Sequence, residues 1–223
     1  MRTRLNILLM FVLITGMIVS CGKSSDSELL VSGKRLELSG NYEKALTNYD
    51  VLVDAHPESP LRAEALCRSG LIRFIRHSDT AGAAEYFRKV TREYPDEVIG
   101  DGCRALLEFI QSDSAANPVE SLYNTGLAYT NLLQDFDIGI EMLNSLVEQY
   151  PDHKRAPEAL FMSGFIYANS TADTAEARTY YKRFLERYPD HTLASSVKWE
   201  LEYLGRDINT IPEMQHIDQT ELK

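Results

Sequence analysis

The chain has 223 residues, of which 44% are hydrophobic and 25% are charged, and its formal net charge at pH 7 is −10. This length and composition are typical of a globular protein with one or two domains. The excess of acidic residues argues against nucleic-acid binding, which needs a basic surface, and against electrostatic attachment to anionic lipid. We interpret the negative charge as a contribution to solubility.

The first 20 residues have the pattern of a signal peptide. Arg2 and Arg4 form a short basic start, and residues 7–19 are almost entirely apolar. This apolar run is shorter than the roughly 20 residues that a membrane-spanning helix needs. A basic start followed by a short apolar run is instead typical of a secretory signal.

The apolar run ends in Ile18, Val19, Ser20 and Cys21, which are followed by Gly22. This string resembles the lipobox of bacterial lipoproteins, in which the cysteine carries a diacylglycerol through a thioether, becomes the new N-terminus and is acylated again. The resemblance implies that Cys21 is the lipidation site and anchors the chain to a membrane, because several acyl chains hold firmly. An ordinary secretory signal with a chance cysteine is the alternative.

The residue after the lipobox cysteine indicates the membrane. In Gram-negative lipoproteins an Asp at that position retains the protein at the inner membrane, and here the position is Gly22. The resemblance therefore implies the bacterial outer membrane, with the chain facing the periplasm. Residues 21–27 are small and polar, and we expect them to form a tether between the lipid and the folded part.

The rest of the chain alternates apolar positions at helical spacing with turn residues. Pro57, Pro95, Pro151 and Pro189 each follow such a segment, where proline stops a helix. This pattern predicts helices over residues 26–39, 42–55, 60–76, 79–93, 97–111, 119–133, 136–149 and 192–204, with two more inside 157–190. Residues 206–223 are polar and lack periodicity, and we expect a loose tail.

One segment shows the pairing of helices most clearly. Within 157–190, Leu160, Gly164 and Tyr167 lie on one helical face, and Tyr181 and Phe184 lie on one face of the next helix. A glycine inside a helix costs about 1 kcal/mol relative to alanine. We therefore expect Gly164 to lie where a neighbouring helix comes very close.

The same pattern recurs 94 residues earlier. Gly70 corresponds to Gly164, residues 79–81 (Asp-Thr-Ala) correspond to 173–175, and residues 94–96 (Tyr-Pro-Asp) correspond to 188–190. The chain therefore reads as a tandem duplication. We predict one module over residues 28–113 and a second over 118–205, each with two helical hairpins and one extra helix.

The order of Leu, Gly, Tyr, Ala, Tyr, Phe and Pro in 157–190 resembles the tetratricopeptide repeat, a 34-residue helix-turn-helix unit. The resemblance implies an all-α, right-handed superhelical solenoid of helical hairpins, because single hairpins cannot bury their apolar faces. It also implies a binding protein rather than an enzyme, with protein partners and no cofactor.

In that family the first helix of each hairpin builds the inner groove. Carried over to this chain, the groove positions are mostly apolar, and a groove of this kind is typical of a receptor for a helix or peptide. They are Leu30, Lys34, Leu71, Phe74, Tyr123, Leu127, Phe161 and Phe165. The alternative is that a tightly wound solenoid buries these side chains against its own next turn.

The remaining residues of chemical interest give weak signals. The five histidines lack the spacing of metal ligands, and we expect His56, His153 and His191 to be turn residues. Cys67 and Cys103 correspond under the 94-residue offset to Phe161 and Val197, so we expect two buried thiols. An oxidising compartment would also permit a disulfide between them.

The lipobox and helical repeats together resemble BamD-type lipoproteins of the outer-membrane β-barrel assembly machine, although those usually have five repeats. The resemblance implies a lipid-anchored scaffold for protein partners of the cell envelope. The alternatives are an adaptor like the periplasmic repeat protein of the Tol-Pal system and, less favoured, an accessory of a cell-wall enzyme.

Overall fold

Ten α-helices form the part of the chain that the structure describes. The structure is a computed structural model, and it describes residues 24–206, apart from the side chains of Asp113 and Ser114. The helices are α1 (Asp26–Leu38), α2 (Tyr42–Ala55), α3 (Arg62–His77), α4 (Thr80–Glu93), α5 (Val98–Ile110), α6 (Pro118–Leu127), α7 (Phe136–Gln149), α8 (Arg155–Asn169), α9 (Thr174–Arg187) and α10 (Ala194–Tyr203). The predicted all-α solenoid of paired helices is confirmed.

Four hairpins pair α1 with α2, α3 with α4, α6 with α7, and α8 with α9, while α5 and α10 pack behind the second and fourth hairpins. Each hairpin turns at one residue with left-handed backbone, at φ values of 75°, 53°, 51° and 56° for Gly40, Ser78, Gln134 and Ala172. In the last three hairpins the next residue is an Asp whose side chain accepts a backbone N–H of the following helix. Such N-caps satisfy donors that the first turn of a helix leaves free.

Gly164 lies at a close helix crossing, as the sequence predicts. A Cβ atom added there would stand 2.7 Å from Cε1 of Tyr181 and 3.2 Å from Cβ of Tyr180. At the equivalent place in the second hairpin, a Cβ atom added to Gly70 would stand 2.5 Å from Cε1 of Phe87. The glycine on the first helix therefore makes room for an aromatic ring on the second, which is why a poor helix former occupies this position.

The apolar interior has two parts, and α7 belongs to both. The first part is formed by helices α1–α5 together with Tyr129, Leu133, Ile138 and Met142. The second part contains Leu143 and extends through α8, α9 and α10. Because opposite faces of one helix serve the two parts, the packing is continuous across residues 111–117.

Three local predictions need correction. The predicted tether includes Asp26 and Ser27, but α1 already begins at Asp26, whose carboxylate accepts a hydrogen bond from the Ser59 hydroxyl at 2.6 Å. The helix predicted from residue 60 begins at Arg62. The helix predicted over 119–133 stops being regular at Leu127 and continues as a π-helical turn, Ala128–Leu132.

The signal peptide, the lipidation site Cys21 and residues 207–223 of the predicted tail lie outside the described residues. The module boundaries at 28–113 and 118–205 stay predictions. Within residues 24–206, no helix combines the length and the apolar character needed to cross a bilayer.

Candidate partner-binding surface

Three of the eight predicted groove residues prove to be interior. Leu30 is 6% exposed, Leu71 is 0% exposed and Phe74 is 7% exposed, and all three belong to the first part of the core. Phe74 packs edge-on against Phe109 of α5, with the ring centroids 6.1 Å apart. The prediction that these residues line an open groove is wrong, because neighbouring helices cover them as the sequence analysis allowed.

The ammonium group of Lys34 pairs with carboxylates of the chain itself. Its Nζ atom lies 3.5 Å from Glu64 and 4.0 Å from Asp135. Its side chain is 37% exposed, so the ammonium group rests at the rim of a charged group described below. No part of the predicted groove surrounds it, because Leu30, one turn earlier on α1, is buried.

Tyr123 and Leu127 lie one turn apart on α6 but face different neighbours. Leu127 lines a hollow of about 210 Å³ beside α5, together with Leu106 and Phe109. Tyr123 instead lies under the guanidinium group of Arg155, which is 4.5 Å from the centre of its ring. These two predicted residues therefore do not share one groove.

The two predicted phenylalanines of α8 come together at the surface. The rings of Phe161 and Phe165 are 6.0 Å apart, and Phe161 also stacks on Tyr181 at 6.2 Å. Phe165 is 38% exposed, which places it among the few large hydrophobic side chains that the solvent reaches. We call Tyr123, Arg155, Phe161 and Phe165 the α6–α8 face, since α6 and α8 pack against each other.

Acidic residues hold the cation of this face in place. Arg155 Nε lies 3.1 Å from Glu120 of α6, and its Nη1 lies 2.6 Å from Glu158. These hydrogen bonds raise the pKa of Arg155 above its ordinary value, and the bond to Glu120 has the larger effect. The charge of Arg155 is therefore already balanced within the chain. The exposed aromatic surface is the part of the face that remains for a partner to contact.

A second feature, which the sequence analysis missed, is a buried charged group centred on Arg68. Its guanidinium group is completely buried and pairs with Glu37 at 3.0 Å, Glu64 at 2.8 Å and Asp135 at 2.8 Å. Tyr49 donates its hydroxyl to Glu37 at 2.7 Å, and Tyr129 donates to the other oxygen of the same carboxylate. We call these six residues the Arg68 cluster.

The cluster joins residues that are distant in sequence. Glu37 comes from α1, Arg68 from α3, Tyr129 from the π-helical turn and Asp135 from the cap of α7. Burial alone would lower the pKa of Arg68, but the carboxylates, led by Glu37, raise it above its ordinary value. Each of the three guanidinium nitrogens is paired with a carboxylate, which is the condition under which a buried charge is tolerated.

The duplication contains a signal that could have located this cluster. Under the 94-residue offset Arg68 corresponds to Met162, which is apolar. An arginine in place of an apolar residue indicates either that the position is exposed or that the arginine has a buried partner. The sequence does not choose between these, since the partners lie 31 and 67 residues away.

The turn histidines have the expected places. Nδ1 of His153 accepts the N–H of Arg155, and Nδ1 of His191 accepts the N–H of Leu193, both at 3.2 Å. The Nε2 atom of His56 lies 3.0 Å from the carbonyl oxygen of Ser24. Over residues 24–206, no group of three or more His, Cys, Asp or Glu side chains is arranged to hold a metal ion.

Two family models match the chain, and both describe the tetratricopeptide repeat. One matches residues 32–98, and the other matches residues 120–153 and 158–191. None of the curated proteins compared with the chain matches it. The matched segments include residues of all four hairpins and cover more than half of the sequence. The chain therefore belongs to the tetratricopeptide-repeat family.

Proposed function

We propose that this protein is a lipid-anchored scaffold of the bacterial envelope that holds a protein partner on the α6–α8 face. The exposed ring of Phe165, in contact with the ring of Phe161 on the same helix, is the observation that carries the proposal. Aromatic residues and arginine are the residue types that dominate binding energy at protein interfaces. Tetratricopeptide repeats bind proteins, and the matched repeats include α6 and α8.

The chemistry of the face defines the partner. Arg155 is paired within the chain, so the partner gains little by bringing a carboxylate. The free part of the face is aromatic and lies along two neighbouring helices. An amphipathic helix or an extended peptide with two or three apolar side chains therefore fits best.

Anchoring and location are part of the same proposal. Residues 18–21 resemble a lipobox, and Gly22 in place of Asp indicates the outer membrane. Together with the repeats, this supports a role similar to that of BamD-type lipoproteins in outer-membrane protein assembly. Four hairpins are described here, where those proteins usually have five repeats.

The anchoring is tested by Cys21→Ser. We expect wild-type protein in the membrane pellet of producing cells, with a mass that includes acyl groups, and the variant in the soluble fraction or as uncleaved precursor. Cys103→Val is the matched control, because it removes a thiol that lies in the core. A wild-type protein without acyl groups would overturn the anchoring.

Partner binding is tested by purification from detergent-solubilised envelopes, with mass spectrometry of the bound proteins. We expect Tyr123→Ser/Phe165→Ser to lose proteins that wild type retains, while its helical circular dichroism is unchanged. Val51→Ser is the control, since Val51 is similarly exposed at 45% but lies on α2.

The outcome of that purification also identifies the process. Recovery of β-barrel assembly proteins supports the proposed role, whereas recovery of Tol-Pal components favours the alternative adaptor. Retention of every partner by the folded double variant would place the binding surface elsewhere.

A further inference from the structure

Two buried thiols meet between α3 and α5. Sγ of Cys103 lies 3.1 Å from Sγ of Cys67, and Cys103 donates its S–H hydrogen to Cys67. Both residues are completely buried and carry free thiols in this structure. The sulfur atoms are only about 1 Å beyond the S–S bonding distance of roughly 2.0 Å.

The second module shows that this contact does not require sulfur. The residues that correspond to Cys67 and Cys103 are Phe161 and Val197, and Val197 is also completely buried. Apolar residues therefore occupy both equivalent positions in the second copy of the duplication. The first copy instead places two groups there that can form a covalent bond.

We propose that Cys67 and Cys103 close a disulfide that joins α3 to α5 when the chain folds in an oxidising compartment. The proposal rests on the export that the proposed function includes. In this step two S–H bonds break and one S–S bond forms. The two electrons and two protons pass to a disulfide-bearing oxidant, which is reduced to two thiols.

The timing of the reaction follows from burial. Exchange needs a thiolate that the oxidant can reach. The hydrogen bond from Cys103, reinforced by burial, raises the pKa of the Cys67 thiol well above its ordinary value. The bond therefore forms before α5 has docked, and in the folded protein it is shielded from reductants.

The test is refolding of the purified full chain from denaturant with oxidised glutathione, followed by denaturation and alkylation. We expect peptides containing Cys67 and Cys103 to remain linked, with a mass lower by two hydrogen atoms than the two thiol peptides together. Native wild type should resist reduction until it is unfolded. Full alkylation of both thiols after oxidative refolding would overturn the proposal.

Cys103→Val supplies a matched control, because valine already occupies the equivalent position in the second module. Wild type that is reduced in denaturant and refolded without oxidant should melt about 5–10 °C below the oxidised protein, the effect of opening a loop of this length. The same treatment should leave the variant unchanged. An equal change in melting temperature for wild type and Cys103→Val would contradict the disulfide. If the variant does not fold, the alkylation of wild type alone still shows whether the disulfide forms.

The same alkylation on protein taken directly from cells separates this proposal from the proposed function. A disulfide that forms during refolding but is missing in the cell-derived protein means that the chain is not exported to an oxidising compartment. Failure in both samples means that the thiol contact does not close.

Discussion

The hydroxyl of Tyr129 donates a hydrogen bond to Glu37, although the two residues lie 92 positions apart in the sequence. Both are buried, at 1% and 3% exposure. Tyr129 belongs to the π-helical turn that follows α6, and Glu37 belongs to the last turn of α1. This hydrogen bond thus connects the first helix of the chain to the third hairpin, and its removal tests how much such a connection stabilises the fold.

Tyr129→Phe should lower the free energy of unfolding by about 1–3 kcal/mol, because it leaves one oxygen of a buried carboxylate without its donor. Urea denaturation followed by circular dichroism measures the change. Tyr188→Phe is the matched control, since its hydroxyl donates to a neutral carbonyl, that of Pro151, at 2.9 Å. It should lose only about 0.5–1.5 kcal/mol. Equal losses would show that the charge of Glu37 contributes nothing.

Arg68→Met should lower the free energy of unfolding by about 3–5 kcal/mol, because it leaves buried carboxylates without a cation. Methionine is the residue at the equivalent position of the second module. Arg104→Met, which removes a pair with Asp101 on the exposed side of α5, should change stability by no more than about 0.5 kcal/mol. Adding Glu37→Gln to Arg68→Met should recover part of the lost free energy of unfolding, because it removes one unpaired buried charge. If nothing is recovered, the loss in Arg68→Met comes from altered packing and not from the unpaired carboxylate.

The buried tyrosines of the cluster predict a loss of stability in alkali. Burial raises the pKa of both Tyr49 and Tyr129, and the neighbouring carboxylate of Glu37 raises it further. A tyrosine whose pKa is raised by folding stabilises the folded state fully at pH values below its pKa in the unfolded chain, which is about 10. That stabilisation is lost progressively as the pH rises above this value. Each tyrosine should remove about 1.4 kcal/mol per pH unit in that range.

Denaturation at about pH 9 and about pH 11 measures this dependence, since the two values bracket the ordinary tyrosine pKa. Tyr129→Phe should weaken it, because one fewer phenol is held protonated in the folded state. An unchanged pH slope in the variant would show that Tyr129 ionises as readily in the folded protein as in the unfolded chain.

Gly164→Leu should lower the free energy of unfolding by about 1–3 kcal/mol through overpacking against the ring of Tyr181. Lys182→Leu is the control, because Lys182 is exposed on the neighbouring helix α9 and places the same side chain in solvent. Thermal unfolding compares the two variants. A Gly164→Leu protein that melts at the wild-type temperature would be incompatible with the close crossing.

The helices were predictable because each carries its own local signals. Apolar periodicity, four helix-stopping prolines and the repeat at 94 residues place most helix ends within two residues of those observed. The positive φ of Gly40 is expected of a glycine. The same backbone at Ser78, Gln134 and Ala172 follows only from the geometry of the hairpin.

The surface was predicted less well, for a physical reason. A helical face that points inward in a repeat faces either solvent or the next turn, and the sequence of one helix does not distinguish these cases. Leu71 and Phe165 were assigned to the same groove, yet one is completely buried and the other is 38% exposed. The Arg68 cluster and the thiol contact depend on the superhelical path, which brings together residues far apart in the sequence.

The two faces of α7 determine how mechanical load crosses the molecule. Ile138 and Met142 are held in the first part of the core, and Leu143 is held in the second. A force that separates α1 from α8 would thus be carried by these packed side chains and by the ion pair between Arg68 and Asp135, in parallel with the backbone of residues 111–117. With the anchor and the partner-binding face that we propose, the two parts of the core would share the load between the lipid and the partner.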